Sequence, residues 1–584
     1  MAGSSPVRSM IAMFRFMRTI LSPERDYYLL VIIYGIGISL LSLATPISVQ
    51  MLINTVANTG LTTPLVILSF SLFILLGMAA LLNALRIHLM DLFARRFYAR
   101  MVSEISLRAI YAVNPFFDDS STGVLFNRYF DIIIVHKTMP YLLIGGFTIL
   151  LQVLAGMVLV SLYHPLFLIF NMVVALFVWL VWSIWGPRAI ESAVELSHRK
   201  HATASWLEGL GASNGFFKSE RHIEHALKRT DEVTGSYIEQ HRAHFGNYFV
   251  QTLCYLFIYA AASALLLGLG GWLVIQGQLT LGQLVAAELV LSVAFVGISQ
   301  LGVYLTYFYD LCGAIDELSL FLQIEQEAVI ENPSPLGDDA ALVLTEARGD
   351  ARGTDAVFDF AIPSGARVLA HADDHAMQRL FTSFLKRHEK PRGGIVALGG
   401  VDLMSVAVHT LRQEVIVLDR PSITEMSIRE YLQLSQSGGS PEALLQALEA
   451  VGLKDAVSQL DGGLDTVLAA TGWPLSIAES MQLKLAAAII ARPRLLVLNQ
   501  LFDVMPADAL CRALDLLQSR GSITVIYFSN RECELGFDRY IDLHAESQPS
   551  FTEYAEFASE VATWQRGRAP RAPRAPSRSL PDVF

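Results

Sequence analysis

Apolar positions fall along this chain in two different rhythms, and the change comes near residue 324. Before it, long stretches carry almost no charge. Tyr27 to Gln50, Pro64 to Leu85, Pro140 to Tyr163, Leu166 to Pro187, Phe245 to Ile275 and Leu284 to Tyr309 are each predominantly apolar. Each is long enough as a helix to cross a hydrocarbon layer of about 30 Å. After residue 339 the runs shorten. Arg367–Ala370, Val415–Leu418, Leu495–Leu498 and Thr524–Phe528 are strand-length and alternate with amphipathic stretches. That alternation predicts a parallel sheet covered by helices.

The loops orient the spans. Met51–Thr63, His164–Pro165 and Gln276–Gln283 contain neither Lys nor Arg, whereas Arg86–Lys137 and Arg188–Arg242 hold eleven basic residues of the order of Arg95, Arg96, Arg100, Lys200 and Arg229 in their interiors. The excess of basic residues predicts that those two segments and both termini are cytoplasmic, in a bacterial inner membrane. Periodic apolar positions in Leu92–Ala112, Ile190–Ala212 and His222–Arg242 predict helices that continue the spans. Asn114–Gly123 and Gly209–Gly215 mark turns. Arg8, Arg15, Arg18 and Arg25, interleaved with Phe14, Phe16, Ile20 and Leu21, predict an amphipathic helix lying on the membrane surface.

Composition agrees with this division. Of 584 residues, 53% are hydrophobic and 17% charged, and the net charge is −11. An acidic chain lacks the basic face that nucleic-acid binding needs. Cys254, Cys312, Cys511 and Cys533 have neither metal-ligand nor disulfide-framework spacing. Glu288, just inside the sixth span, is a candidate polar site or an acid reaching headgroup water. Gln152, Asn171, Gln251 and Gln300 either line a polar path between spans or bond neighbouring helices. The predicted organisation is an interfacial helix (1–26), a six-span domain (27–323), a linker (324–339), an α/β domain (340–548) and a C-terminal region (549–584). The last carries a basic Pro/Ala tail that composition predicts to be unstructured.

Phe116-Phe117-Asp118, Thr122–Arg128 and Gly277–Ala286 resemble loop motifs of ATP-binding-cassette (ABC) exporters. The later half is similar to the family's nucleotide-binding domain. Ile362–Gly365, Gly399–Leu403, Ser427–Leu432, Gly463–Val467 and Ala491–Leu498 carry that likeness. The resemblance implies a fold of six transmembrane helices followed by a cytoplasmic α/β P-loop-NTPase-like domain. It also implies membrane lipid as an environment and a homodimer or a heterodimer with an ABC homologue. A periplasmic or soluble partner belongs to the alternative, in which the chain is a scaffold that transports nothing. Nothing marks a peptidase domain ahead of the first span.

The same overlay places unusual residues at each ATP position. Arg367–Ala370 reads as a strand and Met377–Lys386 as a helix, the context in which a phosphate loop sits; such a loop has the pattern GxxxxGK[ST], whose glycines and Lys cradle phosphate. Its glycine places hold Ala372, His375 and Met377, the Lys place Gln378, and the Ser/Thr places Arg379 and Leu380. Asp373 and Asp374 stand where phosphates would lie. The glutamine position is Asp419. The signature motif aligns with Leu475, Ser476, Ile477, Ala478 and Glu479. The magnesium-holding acid and the general base align with Asn499 and Gln500, the switch histidine with Asn530, and the last acid of the following loop with Pro506. The expectation is a domain that binds neither ATP nor Mg²⁺ and has no catalytic residues. A residually active ATP-driven exporter is the remaining alternative.

Overall fold

A computed structural model describes residues 6–59, 62–113, 121–372, 374–435, 441–519, 521–531 and 536–567. The chain divides into two compact units, Met1–Glu327 and Ala328–Phe584.

The first unit is helical. Its helices are α1 (Pro6–Leu21), α2 (Arg25–Ser42), α3 (Ala44–Thr59), α4 (Thr62–Ile110), α5 (Asp131–Pro140), α6 (Phe147–Ser161), α7 (Pro165–Ala212), α8 (Glu220–Ile275) and α9 (Leu281–Leu322). Among the described residues six helical stretches are long and apolar enough to cross a membrane. The first span is broken at Leu43, and the third passes through a π-helical segment, Tyr141–Gly146, after Pro140. Proline removes one backbone donor, which is one cause of such local rewinding. The predicted extensions beyond the spans are present as unbroken parts of α4, α7 and α8. Residues 114–120 of the first predicted turn lie outside the described residues.

Apolar packing and a few buried charges hold these extensions together. Phe93, Phe97, Ile132, Val135, Ile315 and Leu318 are all fully enclosed in one core. Beside it the Asp131 carboxylate, 1% exposed, accepts from Lys200 Nζ at 2.7 Å and pairs with His201 Nε2 at 2.5 Å. Glu317, wholly buried, meets Arg128 Nε at 2.5 Å. Glu24 meets Arg100 Nε at 2.7 Å. Burying an acid is tolerable only with such partners. Inside the spans, Tyr309 donates to Gln251 at 2.7 Å, and Asn171 donates to Met157 O and Ser161 Oγ, each at 2.9 Å. These two predicted helix-bonding residues therefore do bond neighbouring turns or helices. Glu288 takes a 3.4 Å bond from Ser292 and has one buried oxygen without a partner.

His198 on α7 lies 2.9 Å from Asp316 on α9, with Glu195 and Glu317 also near. The Asp316 hydrogen bond and these acids raise its pKa above the ordinary value, against burial. A raised folded-state pKa adds stability that is complete below the unfolded value of about 6.5 and is lost as pH rises through the folded one. The unfolding temperature is therefore expected to fall between pH 6 and 8 more steeply in the wild type than in His198→Gln. Parallel pH profiles for the two proteins would refute this.

The second unit is α/β. Strands β1 (Leu342–Ala351), β2 (Thr354–Ile362), β4 (Gly393–Leu398) and β5 (Val401–Asp402) form a sheet in the order β2-β1-β4-β5. A second sheet has the order β12-β11-β3-β10-β9-β6. It comprises β3 (Arg367–Ala372), β6 (Val415–Leu418), β9 (Leu495–Leu498), β10 (Thr524–Phe528), β11 (Arg539–Leu543) and β12 (Ser550–Phe551). All its pairings are parallel except that of β12. A short ribbon joins β7 (Met426–Ser427) to β8 (Val467–Leu468). The helices are α10 (His375–Leu385), α11 (Val408–Glu414), α12 (Ile428–Gln433), α13 (Pro441–Ala450), α14 (Lys454–Ser458), α15 (Ile477–Ala491), α16 (Ala507–Ser519) and α17 (Tyr554–Gly567). Leu495, Leu496, Val497 and Leu498 are all enclosed, as expected for a central parallel strand with both faces covered. The basic tail beyond residue 567 lies outside the described residues.

Candidate functional site

Parallel strands end together, and the loops leaving β3, β6, β9 and β10 gather most of the sequence-predicted site residues at one edge of the sheet. That edge is where open α/β sheets hold ligands. The first of these loops is shorter than the sequence predicts. The strand runs on to Ala372 and the helix begins at His375, two residues before the expected Met377. Asp374 explains the early start. It is extended (φ −127°, ψ 134°), and its carboxylate accepts from Ala376 N–H at 2.9 Å as an N-cap. Its carbonyl also takes Met377 N–H at 2.9 Å and Gln378 N–H at 3.4 Å.

The start of a helix is an anion site because its first N–H groups lack partners. Here Asp374 supplies partners to two of them, Ala376 N–H and Met377 N–H, while the Gln378 bond is the first regular turn, and the Asp374 carboxylate lies at the positive end of the helix. Ala372, His375 and Met377 also have ordinary negative φ, so the left-handed turns for which glycine is suited are not made. Ala376, Met377, Gln378 and Leu380 point into the core, while His375 and Arg379 are exposed. Asp373 lies outside the described residues.

Two of the overlaid positions meet directly. Gln500 Nε2 donates to Gln378 Oε1 at 2.8 Å, a neutral amide pair joining the Lys place to the general-base place. Asn499 caps the turn Gln500–Val504 by accepting from Leu501 N–H at 3.1 Å, and its amide donates to Asp419 O at 3.0 Å. Both Asn499 side-chain atoms are thus engaged in backbone bonds. Asp419 accepts from Lys386 Nζ at 2.5 Å. Nearby, Lys484 is buried on α15 and donates to Arg420 O and Ser422 O, each at 2.5 Å. Burial holds its ammonium below the ordinary Lys range, with Asp419 opposing.

Asn530 is exposed, and its backbone N–H donates to Asp503 Oδ2 at 3.1 Å. Asp503 Oδ1 accepts from Ser529 at 2.7 Å and from the Tyr527 hydroxyl. Arg531 reaches the carbonyls of Asp503 and Met505. This clasp ties the loop after β9 to the loop after β10. Pro506 ends the first of these loops, just before α16.

The signature residues stand apart on α15. Ser476 Oγ accepts from Glu479 N–H at 3.2 Å and Glu479 Oε2 accepts from Ser476 N–H at 2.7 Å, a reciprocal capping box. Leu475 is buried, Ile477 is 61% exposed, and Ala478 is partly covered. A second helix start is therefore closed by a carboxylate of its own chain.

Lys386, Lys484 and Asp503 do not emerge from the sequence as site residues. Lys484 had one available signal, as the single charge inside the apolar run Leu483–Ile490. Asp503 had none, since its partners lie 24 to 27 residues away.

Comparisons with known proteins agree with this architecture. Residues 28–298 match the ABC transporter transmembrane region. The β-(1→2)-glucan export ATP-binding/permease protein NdvA of Rhizobium meliloti is 23% identical over 44% of this chain and 44% of its own length. The mesentericin-Y105 transport/processing ATP-binding protein MesD of Leuconostoc mesenteroides is 21% identical over 86% of this chain and 70% of its own. The chain thus spans under half of the first of these relatives and a larger part of the second. A bacterial Atm1-family ABC exporter, solved with ATP bound, superposes with a TM-score of 0.79 at 16% identity, covering 95% of this chain and all of that one. The chain is an integral membrane protein that carries an ABC transporter transmembrane region over residues 28–298, followed by an α/β domain, and the whole has the fold of an ABC exporter.

Proposed function

We propose that this chain is a subunit of an export system whose nucleotide-binding-type domain neither binds nor hydrolyses ATP. One observation carries the reading: Asp374 fills the N–H groups at the start of α10, where a phosphate would sit. The Gln378–Gln500 pair supports it, because two neutral amides stand where a cation and a general base would be needed. Losing a general base costs about 10²–10⁴ in rate. Losing each charged phosphate contact costs roughly 1.5–3 kcal/mol. Several such losses exceed the binding free energy of a micromolar ligand, about −8 kcal/mol.

In this reading the membrane unit forms a translocation surface, with a second copy or with an intact homologue, in a bacterial inner membrane with both termini cytoplasmic. A homodimer would have no competent ATP site. A heterodimer would leave each interfacial site lacking one half. The relatives' names include a β-(1→2)-glucan and mesentericin Y105, so likeness selects no cargo.

Thermal unfolding of the purified full chain with and without Mg-ATP tests the proposal. A ligand at a hundredfold over its Kd stabilises by about 2.7 kcal/mol. No shift is expected here, and a co-purifying intact homologue would identify the partner. A clear shift from this chain alone would establish ATP binding and overturn the reading.

A further inference from the structure

Most buried charges in the membrane unit have an opposite charge beside them. Glu24 has Arg100, Asp131 has Lys200 and His201, and Glu317 has Arg128. Arg86 differs. It is 3% exposed, and its contacts among the described residues are neutral: Asn83 Oδ1 at 2.8 Å and the Thr148 hydroxyl. Its Nε has no partner. Arginine stays protonated in proteins, so burial cannot discharge it. An uncompensated buried charge costs several kcal/mol.

Its surroundings show where a counter-ion would enter. Arg86 is the first member of the buried stripe of α4, followed by Met90, Phe93, Phe97, Met101 and Ile105. Ahead of it, Val66, Phe70, Phe73, Met78, Leu81 and Leu85 are exposed. These residues make an uncovered apolar side of the span, while Leu82 on another side packs against α2, where a Cβ at Gly37 would come within 3.2 Å of Leu82 Cδ1. Across from the guanidinium stands Gly35 of α2, where even a Cβ would approach Nη1 to 3.8 Å. Ser39, one turn on, is buried and lies 3.5 Å from Thr148 O. The wall is thus hydroxyls, a glycine and the apolar side chains of Phe147 and Leu151, at the end of the second span.

We propose that Arg86 binds the phosphate of an anionic amphiphile lying at leaflet depth. The free Nε and the Nη groups form a fork that suits an oxyanion with two acceptor oxygens. The unpacked apolar face of α4 beside it suits an acyl chain. This site uses no part of the nucleotide domain, so its test stands or falls independently of ATP binding.

The experiment compares the full chain in detergent with Arg86→Met and Arg86→Lys. Retention of phosphatidylglycerol and of phosphatidylcholine is measured by native mass spectrometry, and stabilisation by inorganic phosphate by thermal unfolding. Wild type is expected to retain phosphatidylglycerol about tenfold better than Arg86→Met, equivalent to about 1.4 kcal/mol, with Arg86→Lys between them. Phosphatidylcholine should not distinguish the proteins. Arg86-dependent stabilisation by inorganic phosphate alone would support the oxyanion site and assign it to a soluble ligand. Equal phosphatidylglycerol retention by wild type and Arg86→Met would overturn the site. If Arg86→Met does not fold, wild type retaining both lipids equally, or Arg86→Lys matching wild type, would overturn it instead.

Discussion

Replacing Asp131 by alanine is expected to destabilise the membrane unit by about 3–5 kcal/mol, the usual cost of removing one partner from a buried ion pair. The carboxylate joins α5 to α7 through Lys200 and His201. Without it His201, itself 5% exposed, loses its partner inside the core. The unfolding temperature of the full chain in detergent should drop by roughly 10 °C. Asp131→Asn keeps an acceptor and should cost less. Arg199→Ala is the control: its pair with Glu195 is exposed (48% and 39%), and such pairs are worth under about 1 kcal/mol. If Asp131→Ala and Arg199→Ala behave alike, the buried pair carries no special weight.

The second large effect is expected at Asp503. Its carboxylate accepts from Tyr527, Ser529 and the Asn530 backbone, so Asp503→Ala strands three donors at once. Bonds to a charged group contribute about 1.5–3 kcal/mol each, and water recovers part of that at a half-buried position. A net loss of about 3 kcal/mol follows, together with faster proteolysis of the loop after β10. Asp503→Asn should lie in between. A variant with wild-type stability and wild-type protease resistance would show that the clasp ties nothing.

Periodicity alone reveals much of this architecture. Six charge-poor stretches of bilayer length and four short β-rich runs mark both units, because burial dictates residue type at every turn or every second residue. The ends of elements are harder to read. Asp374 is an ordinary N-cap residue, yet overlaying a phosphate-loop pattern on it puts the helix two residues late. The pattern assumes glycines that wrap an anion, whereas this chain caps its helix locally. The long-range pairings were beyond reach for another reason. Asp131 and His201 are 70 positions apart, and Asn499 and Asp419 are 80 apart. Such pairings depend on tertiary packing, and no spacing rule carries them.

Helix α8 runs for 56 residues without proline and without a break. At 1.5 Å per residue it is a rod of about 84 Å. Its antiparallel neighbour α7 has 48 residues and joins it through the short connection at Ser213–Ser219. A tilt of about 5° around its middle carries each tip nearly 4 Å in opposite directions, as length times angle requires. Under such a rigid-body tilt the turn at Ser213–Ser219 and the turn before α9 are the two arms of one lever, displaced in opposite directions.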